Sequence, residues 1–291
     1  MAASVTLRDG TLAETLSALQ ARVRGEPAAA THRIVLFELL SVLGQWDRAL
    51  NQLEIAGQLD PGALAMVQTY REALSCEALR ADVFAGRRSP LVLGQPEQWV
   101  ALLVEALRLE ANGREAEAGE LRASALEAAE ATAGQAQLGA APPATGERAA
   151  GVEPGAQSFA WIADADPRLG PLLEAIVNGR YYWIPFRHVR TLAIEKPADL
   201  RDLVWAPARF LWANGGEAVG LVPTCYPGSE RSDDDAIRLA RRTEWVEQPG
   251  TVVTGLGQRM LATDAGEYAL LDLRRVELEA PAPVPDAPLH G

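Results

Sequence analysis

Only two of the 291 residues are cysteine, Cys76 and Cys225, and they lie far apart in the chain. That scarcity excludes a disulfide framework and fits a reducing compartment. Long apolar runs are also missing: none approaches the ~20 residues that a bilayer-spanning helix needs. The N-terminus has no basic-then-apolar signal pattern. A cytoplasmic protein without a membrane partner is expected. Basic charge is the third shortage, with 27 Lys and Arg against 39 Asp and Glu and a net charge of −12. The deficit is even, 13 basic against 19 acidic in residues 1–150 and 14 against 20 in residues 151–291. Neither half offers the basic footprint that phosphate contacts require, so nucleic acid is not an expected partner, whereas a basic protein surface is permitted. What remains, 48% hydrophobic and 23% charged residues, is the composition of a globular chain long enough for two domains.

The most informative pattern present is Leu43-Gly44-Gln45-Trp46-Asp47-Arg48-Ala49-Leu50, continued by Leu53, Ala56 and Asp60-Pro61. It has the spacing of the second half of a tetratricopeptide repeat. Gly44 lets the chain leave one helix in a left-handed turn. Trp46 is expected to plug the seam between two helices, while Ala49, Leu53 and Ala56 share one helix face. Pro61 starts the next helix. Thirty-four residues earlier, Gly10, Thr15, Leu19 and Pro27 match Gly44, Ala49, Leu53 and Pro61; 69 residues later, Gly113, Ala118, Arg122 and Ala125 match Gly44, Ala49, Leu53 and Ala56. The intervening copy, Gly62 to Leu93, loses the spacing and reads as degenerate.

Helices are expected at Leu12–Val23, Ala29–Leu43, Trp46–Leu59, Gly62–Ala85, Glu97–Ala111 and Glu115–Ala131. Residues 1–131 thus read as a TPR-like α-α superhelix. Residues 132–157, rich in Ala, Gly and Pro, read as a flexible linker, and the proline-rich 280–291 as a disordered tail. Between them, 158–279 reads as a small α+β domain with a mainly antiparallel sheet. Its expected strands are Phe159–Ile162, Tyr181–Phe186, Thr191–Glu195, Arg209–Ala213, Ala218–Val222, Thr243–Glu247, Val252–Leu256, Met260–Thr263 and Tyr268–Leu273. Asn214-Gly215-Gly216 signals a hairpin. Short helices are expected at Arg168–Val177, Ala198–Leu203 and Ala236–Arg241.

Candidate chemistry is sparse. Cys225 and His188, with Asp202 or one of Asp233–Asp235, could form a nucleophile and base, but Pro223 and Pro227 around Cys225 indicate a rigid turn. Asp164 and Asp166 lack further ligands for a metal and suit a turn that caps the following helix. Asp233-Asp234-Asp235 suits a helix start. Gly255-Leu256-Gly257 lacks the third glycine of a dinucleotide loop and reads as a turn. No catalytic, cofactor or metal site is expected. The aromatics Trp161, Tyr181, Tyr182, Trp183, Phe186, Trp205, Phe210, Trp212, Tyr226, Trp245 and Tyr268 fall in the second half, where core packing is the default and a binding surface the sharper reading. Tyr181 and Tyr182 are adjacent on one strand, so their rings should face opposite ways.

Several segments carry a family resemblance: His32–Pro61, Phe159–Phe186 (FAWIADADPRLGPLLEAIVNGRYYWIPF), Lys196–Ala206 (KPADLRDLVWA), Tyr226–Glu230 (YPGSE) and Thr254–Asp264 (TGLGQRMLATD). In these the chain resembles the ImpE or TagJ proteins of type VI secretion systems. The resemblance implies a non-enzymatic accessory that contacts the N-terminal helix of the small contractile-sheath subunit, with a link to the sheath-recycling AAA+ ATPase. A repeat groove can accept an amphipathic helix. Its concave face, formed by the first helix of each pair, points to Ile34, Glu38, Ser41 and Val42, and to Leu103, Leu107 and Glu110. Two other classes compete: a hydrolase using Cys225 and His188, and a structural subunit of the sheath or baseplate.

Overall fold

The computed structural model describes residues 10–95, 97–139, 155–247 and 252–279. Six helices come first: α1 (Leu12–Gly25), α2 (Ala30–Val42), α3 (Trp46–Leu59), α4 (Leu64–Phe84), α5 (Gln98–Ala111) and α6 (Glu115–Ala128), with a short strand β1 (Leu91–Val92) between α4 and α5. The strands β2 (Gly134–Leu138), β3 (Ala156–Phe159), β4 (Ile162–Asp164), β5 (Leu172–Val177), β6 (Arg180–Pro185) and β7 (Val189–Ile194) follow. Then come β8 (Trp205–Trp212), β9 (Glu217–Pro223), the single-turn α7 (Asp235–Arg238), β10 (Thr243–Glu247), β11 (Val253–Gly257), β12 (Met260–Thr263), β13 (Gly266–Ala269) and β14 (Leu273–Leu278). The architecture is α+β.

Local chemistry explains the helix boundaries. Thr11 and Glu14 form a capping box at the start of α1. The α1 start is also held from far away, because Leu12 N donates to Asp235 Oδ2 at 2.8 Å. At the end of α2, Gly44 is left-handed (φ 63°), with Gly44 N donating to Ser41 O and Gln45 N to Leu40 O. The same pair of closing bonds recurs at Gly113 and Arg114 after α5. The inward positions of the repeat register are buried: Leu19, Leu53, Ala49, Ala118 and Ala125, and even Arg122. Helix α2 pairs with α3, and α5 with α6. The degenerate copy between them is one 21-residue helix, α4, followed by β1, and no helix pair.

Nine strands form one sheet in the order β1-β6-β5-β9-β8-β7-β14-β2-β3, antiparallel except for β1 against β6. A three-stranded sheet, β13-β12-β4, and the two-stranded ribbon β10-β11 complete the β structure. Residues 134–138, expected within a flexible linker, form β2, which is paired between β14 and β3. The alternating Gln135, Ala136 and Gln137 put only Ala136 in the core, a weak period that composition conceals. At the other end of that linker Ala156 and Gln157 belong to β3, while 140–154 and the tail at 280–291 lie outside the described residues.

The segment Arg168–Val177, expected as a helix, is a turn followed by β5. All six β5 residues are buried because both faces are covered: Leu172 and Ile176 pack with the helices, and Leu173, Ala175 and Val177 with the inner cluster of the sheets. A strand covered on both faces loses its period of two and reads as an apolar run. Gly255-Leu256-Gly257, expected as a turn, is strand β11, and Gly255 is required there because the Tyr226 ring occupies the space of a Cβ. The expected strand Phe159–Ile162 divides into β3 and β4. The helices and the helix-facing side of the sheet share a single hydrophobic cluster running from Leu12 to Leu239.

Candidate functional site: the helix–sheet junction and the helical surface

Where α4 lies on β6, an ionic network is sealed inside the molecule. Glu174 of β5, with no exposed surface, accepts from Arg80 Nε at 2.7 Å and Nη2 at 3.1 Å, and also pairs with Arg259 and the Tyr181 hydroxyl. Arg259 reaches on to Asp164, to Pro223 O at 3.2 Å and over the Tyr226 ring. Trp183 Nε1 donates to Tyr181 Oη at 2.7 Å. From α4, Glu77 accepts from Trp205 Nε1 at 2.7 Å, and Arg80 donates to Cys225 O at 2.8 Å. Burial alone would raise Glu174, but the two guanidiniums hold it down to about 2. Asp164 goes the other way: burial lifts it to about 6 against the pull of Arg259. Buried charges persist only when paired and hydrogen-bonded, and these are. The network joins the helices to the sheet.

Tyr181 and Tyr182 face opposite ways, Tyr181 into this junction and Tyr182 toward the inner cluster of the sheets. Trp46 tilts against Trp205 at 6.0 Å, so the seam it fills lies between the helices and the sheet part. Most of the aromatics are core, whereas Trp161 and Trp245 are 39% and 41% exposed. Asp164 and Asp166 do make a turn: Asp166 N donates to Asp164 Oδ1 at 2.8 Å and Arg168 N to Asp166 Oδ1 at 3.0 Å. They cap no helix; each instead pairs with an arginine, Asp164 with Arg259 and Asp166 with Arg168. Asp234 caps α7 by accepting from Ala236 N.

The side chains expected to line a concave groove are occupied by the chain itself. On α2, Glu38 is buried and pairs with Arg201 at 2.6 Å, Ser41 donates to Phe37 O, Val42 is buried, and Ile34 packs on the shared cluster. The turn Leu200–Leu203 sits against this helix. On α5, Leu103 and Leu107 are buried and Glu110 pairs with Arg122 at 2.6 Å. The open-groove reading is therefore corrected at α2, where the turn Leu200–Leu203 covers the face, while on α5 core packing takes Leu103 and Leu107 and Arg122 of α6 takes Glu110. Helical periodicity finds inward faces but cannot distinguish a partner from the rest of the same chain.

Burial lifts Glu38 to about 7, with Arg201 opposing. A carboxyl raised from its ordinary 4.5 binds more protons folded than unfolded, so its contribution to stability falls as pH rises from about 4.5 to about 7. Urea midpoints measured at pH 5 and pH 8 should show wild type losing more stability over that interval than Glu38→Gln. Parallel pH dependences would disprove the assignment.

Cys225 and His188 are not assembled into a site. Burial raises the Cys225 thiol to about 11, the reverse of nucleophile activation. The His188 ring binds Leu93 O at 2.7 Å and Glu97 Oε1 at 3.4 Å, and shares no partner with Cys225. Among the described residues, no group of three His, Cys, Asp or Glu could hold a metal, and no helix is long and apolar enough to cross a membrane.

On the opposite side of α2 the helical surface opens. A groove of about 430 Å³ runs between α1, α2 and α3, with Val23, Leu36 and Leu40 in it and Arg24, Asp47 and Arg48 among its polar walls.

Comparison with known proteins agrees with the segments that carried the resemblance. The family model described as ImpE protein matches residues 156–277. The type VI secretion system accessory component TagJ of Pseudomonas aeruginosa is 50% identical over 279 residues, 96% of this chain and 92% of its own. A crystal structure of a Vibrio parahaemolyticus protein shares the fold, with a TM-score of 0.78 at 24% identity over 93% of this chain and 94% of that one. The chain belongs to the ImpE/TagJ family of type VI secretion accessory proteins.

Proposed function

We propose that this protein is a non-enzymatic cytoplasmic adaptor of a type VI secretion system, which takes the N-terminal helix of the small contractile-sheath subunit and links the sheath to its recycling AAA+ ATPase. In this reading residues 1–131 act as a short TPR-like superhelix mounted on an ImpE-type α+β domain, residues 158–279. The observation that supports it best is the groove between α1, α2 and α3. Its floor is formed by Leu36 and Leu40, both buried, and the apolar contact it offers an amphipathic helix is the half-buried Val23, set between the polar walls Arg24, Asp47 and Arg48. On α2 the concave side is taken by Arg201 and the turn Leu200–Leu203, whereas this groove lies open between the first three helices.

Val23 is half-buried, so its replacement changes the groove without opening the core. Val23→Asp combined with Arg48→Glu should reduce co-purification of the full-length protein with the small sheath subunit by about tenfold or more, with circular dichroism and Tm unchanged. Capture at the wild-type level by a folded double variant would remove the groove from consideration.

A further inference from the structure

The ribbon β10–β11 stands apart from the nine-stranded sheet, and its two edges differ. Along β11, Gly255 N donates to Asp166 Oδ2 at 3.0 Å, Gly257 N donates to Ser229 Oγ at 2.7 Å, and Gly257 O accepts from Tyr226 N. Those two residues therefore turn their backbone groups away from β10. In an antiparallel pair, residues directly opposite one another turn their N–H and C=O groups either both inward or both outward, alternating along the strand. Trp245 lies opposite Gly255, Thr243 opposite Gly257 and Glu247 opposite Val253. Thr243, Trp245 and Glu247 thus point their N–H and C=O groups outward, and among the described residues nothing pairs with them.

The charges that guard this edge, Glu244 and Glu247, are both acidic, so they repel a like strand and attract a basic one. β10 reads Thr-Glu-Trp-Val-Glu, without proline, lysine or a register shift, and it is exposed for four of its five residues. Beside it a cleft of about 450 Å³ opens between Val246 and Leu256 of the ribbon and Phe84 of α4, with Glu110, Glu115 and Arg168 on its walls. The cations here are already matched. Arg168 is held by Asp166, and Arg242 by Asp234 and Glu244. Glu115 and Glu247 have no ion-pair partner among the described residues.

We propose that the outer edge of β10 is a strand-addition site, which takes an extended, lysine- or arginine-bearing segment of a partner protein as a third strand of the ribbon. Main-chain bonds to Thr243, Trp245 and Glu247 supply the pairing. Side chains alternating off the added strand reach the apolar cleft and the unmatched carboxylates. A second copy of this chain suits the edge less well. It would bring four glutamates onto neighbouring strands, and a five-residue edge falls far short of the ~800 Å² per partner of a standard interface. The site is separate from the α1–α2–α3 groove and stands independently of the sheath-helix reading.

The test uses the full chain and three fluorescent peptides, read by anisotropy: an alternating Lys-Val octapeptide, its Glu-Val counterpart, and a Lys-Val peptide N-methylated on alternate amides. The Lys-Val peptide should bind about tenfold or more tighter than either of the others. Trp245→Pro removes an outward N–H that the ribbon does not use, whereas Trp245→Thr removes the ring and keeps that N–H. The proline variant should bind about tenfold more weakly than the threonine variant. Equal affinity for the Lys-Val and N-methylated peptides, or for the Lys-Val and Glu-Val peptides, would overturn the proposal without requiring any variant to fold. So would concentration-dependent dimerisation abolished by Trp245→Pro, which would assign the edge to a second copy.

Discussion

Glu174→Gln is expected to destabilise the protein by about 3–5 kcal/mol, the usual cost of removing one member of a buried ionic cluster. Among the described residues, the carboxylate is the one group that pairs with both Arg80 and Arg259. An amide retains the shape but leaves two buried guanidiniums facing a neutral acceptor whose NH₂ must point at one of them. At about 2–4 °C per kcal/mol for a chain of this size, the melting temperature should fall by roughly 10 °C. The acid limb should change as well. Glu174 is held at about 2 against an ordinary 4.5, so its stabilising contribution is complete above 4.5 and is lost as pH falls toward 2. The variant should lack that component. Because α4 and β5 are tied through this residue, helical ellipticity and tryptophan emission should unfold in a single transition. A loss below about 1 kcal/mol would mean that the network relaxes around the amide, and the role assigned to Glu174 would fail.

Trp205→Ala is expected to cost about as much, roughly 3–5 kcal/mol from lost burial and the cavity together. Trp205 is fully buried between Tyr70, at 5.9 Å, and Trp46, at 6.0 Å, and donates its indole N–H to Glu77. Truncation therefore empties the seam and takes the donor from a buried carboxylate that burial already pushes up in pKa. Trp205→Phe separates the two contributions. It keeps most of the ring and loses the N–H, so about 1–3 kcal/mol is expected. Urea midpoints for the three proteins give the ordering, and a phenylalanine variant as stable as wild type would show that Glu77 does not depend on Trp205.

The helices were legible because each carries its own signals: Thr11 and Glu14 form a box, Gly44 and Gly113 turn left-handed, and Ala49, Leu53 and Ala56 recur at helical spacing. The exposed Asn214-Gly215-Gly216 hairpin was legible for the same reason. Strand β5 was not, since cover on both faces erases its alternation. The junction was hidden more deeply. Arg80, Glu174 and Arg259 are separated by 94 and 85 positions, and nothing local marks any of them as buried. The nearest signal was the unusual density of Asp164, Asp166 and Arg168, which reads equally well as a solvated turn. Glu38 illustrates the same limit: periodicity put it on a functional face, and the occupant of that face is Arg201.

The strand order also constrains how this protein can emerge from a ribosome. Strand β14, from residue 273 onward, lies between β7 and β2, and β1 waits for β6, some ninety positions downstream. The N-terminal end of α1 is fastened by Asp235, 223 residues later. Contacts of such long range close slowly, because the intervening chain must first be brought together. The nascent helical half therefore cannot complete its final packing during synthesis. Until β5 and β6 arrive it exposes the α4 face that later seals the charges, and the nascent chain must be kept from aggregating over that interval.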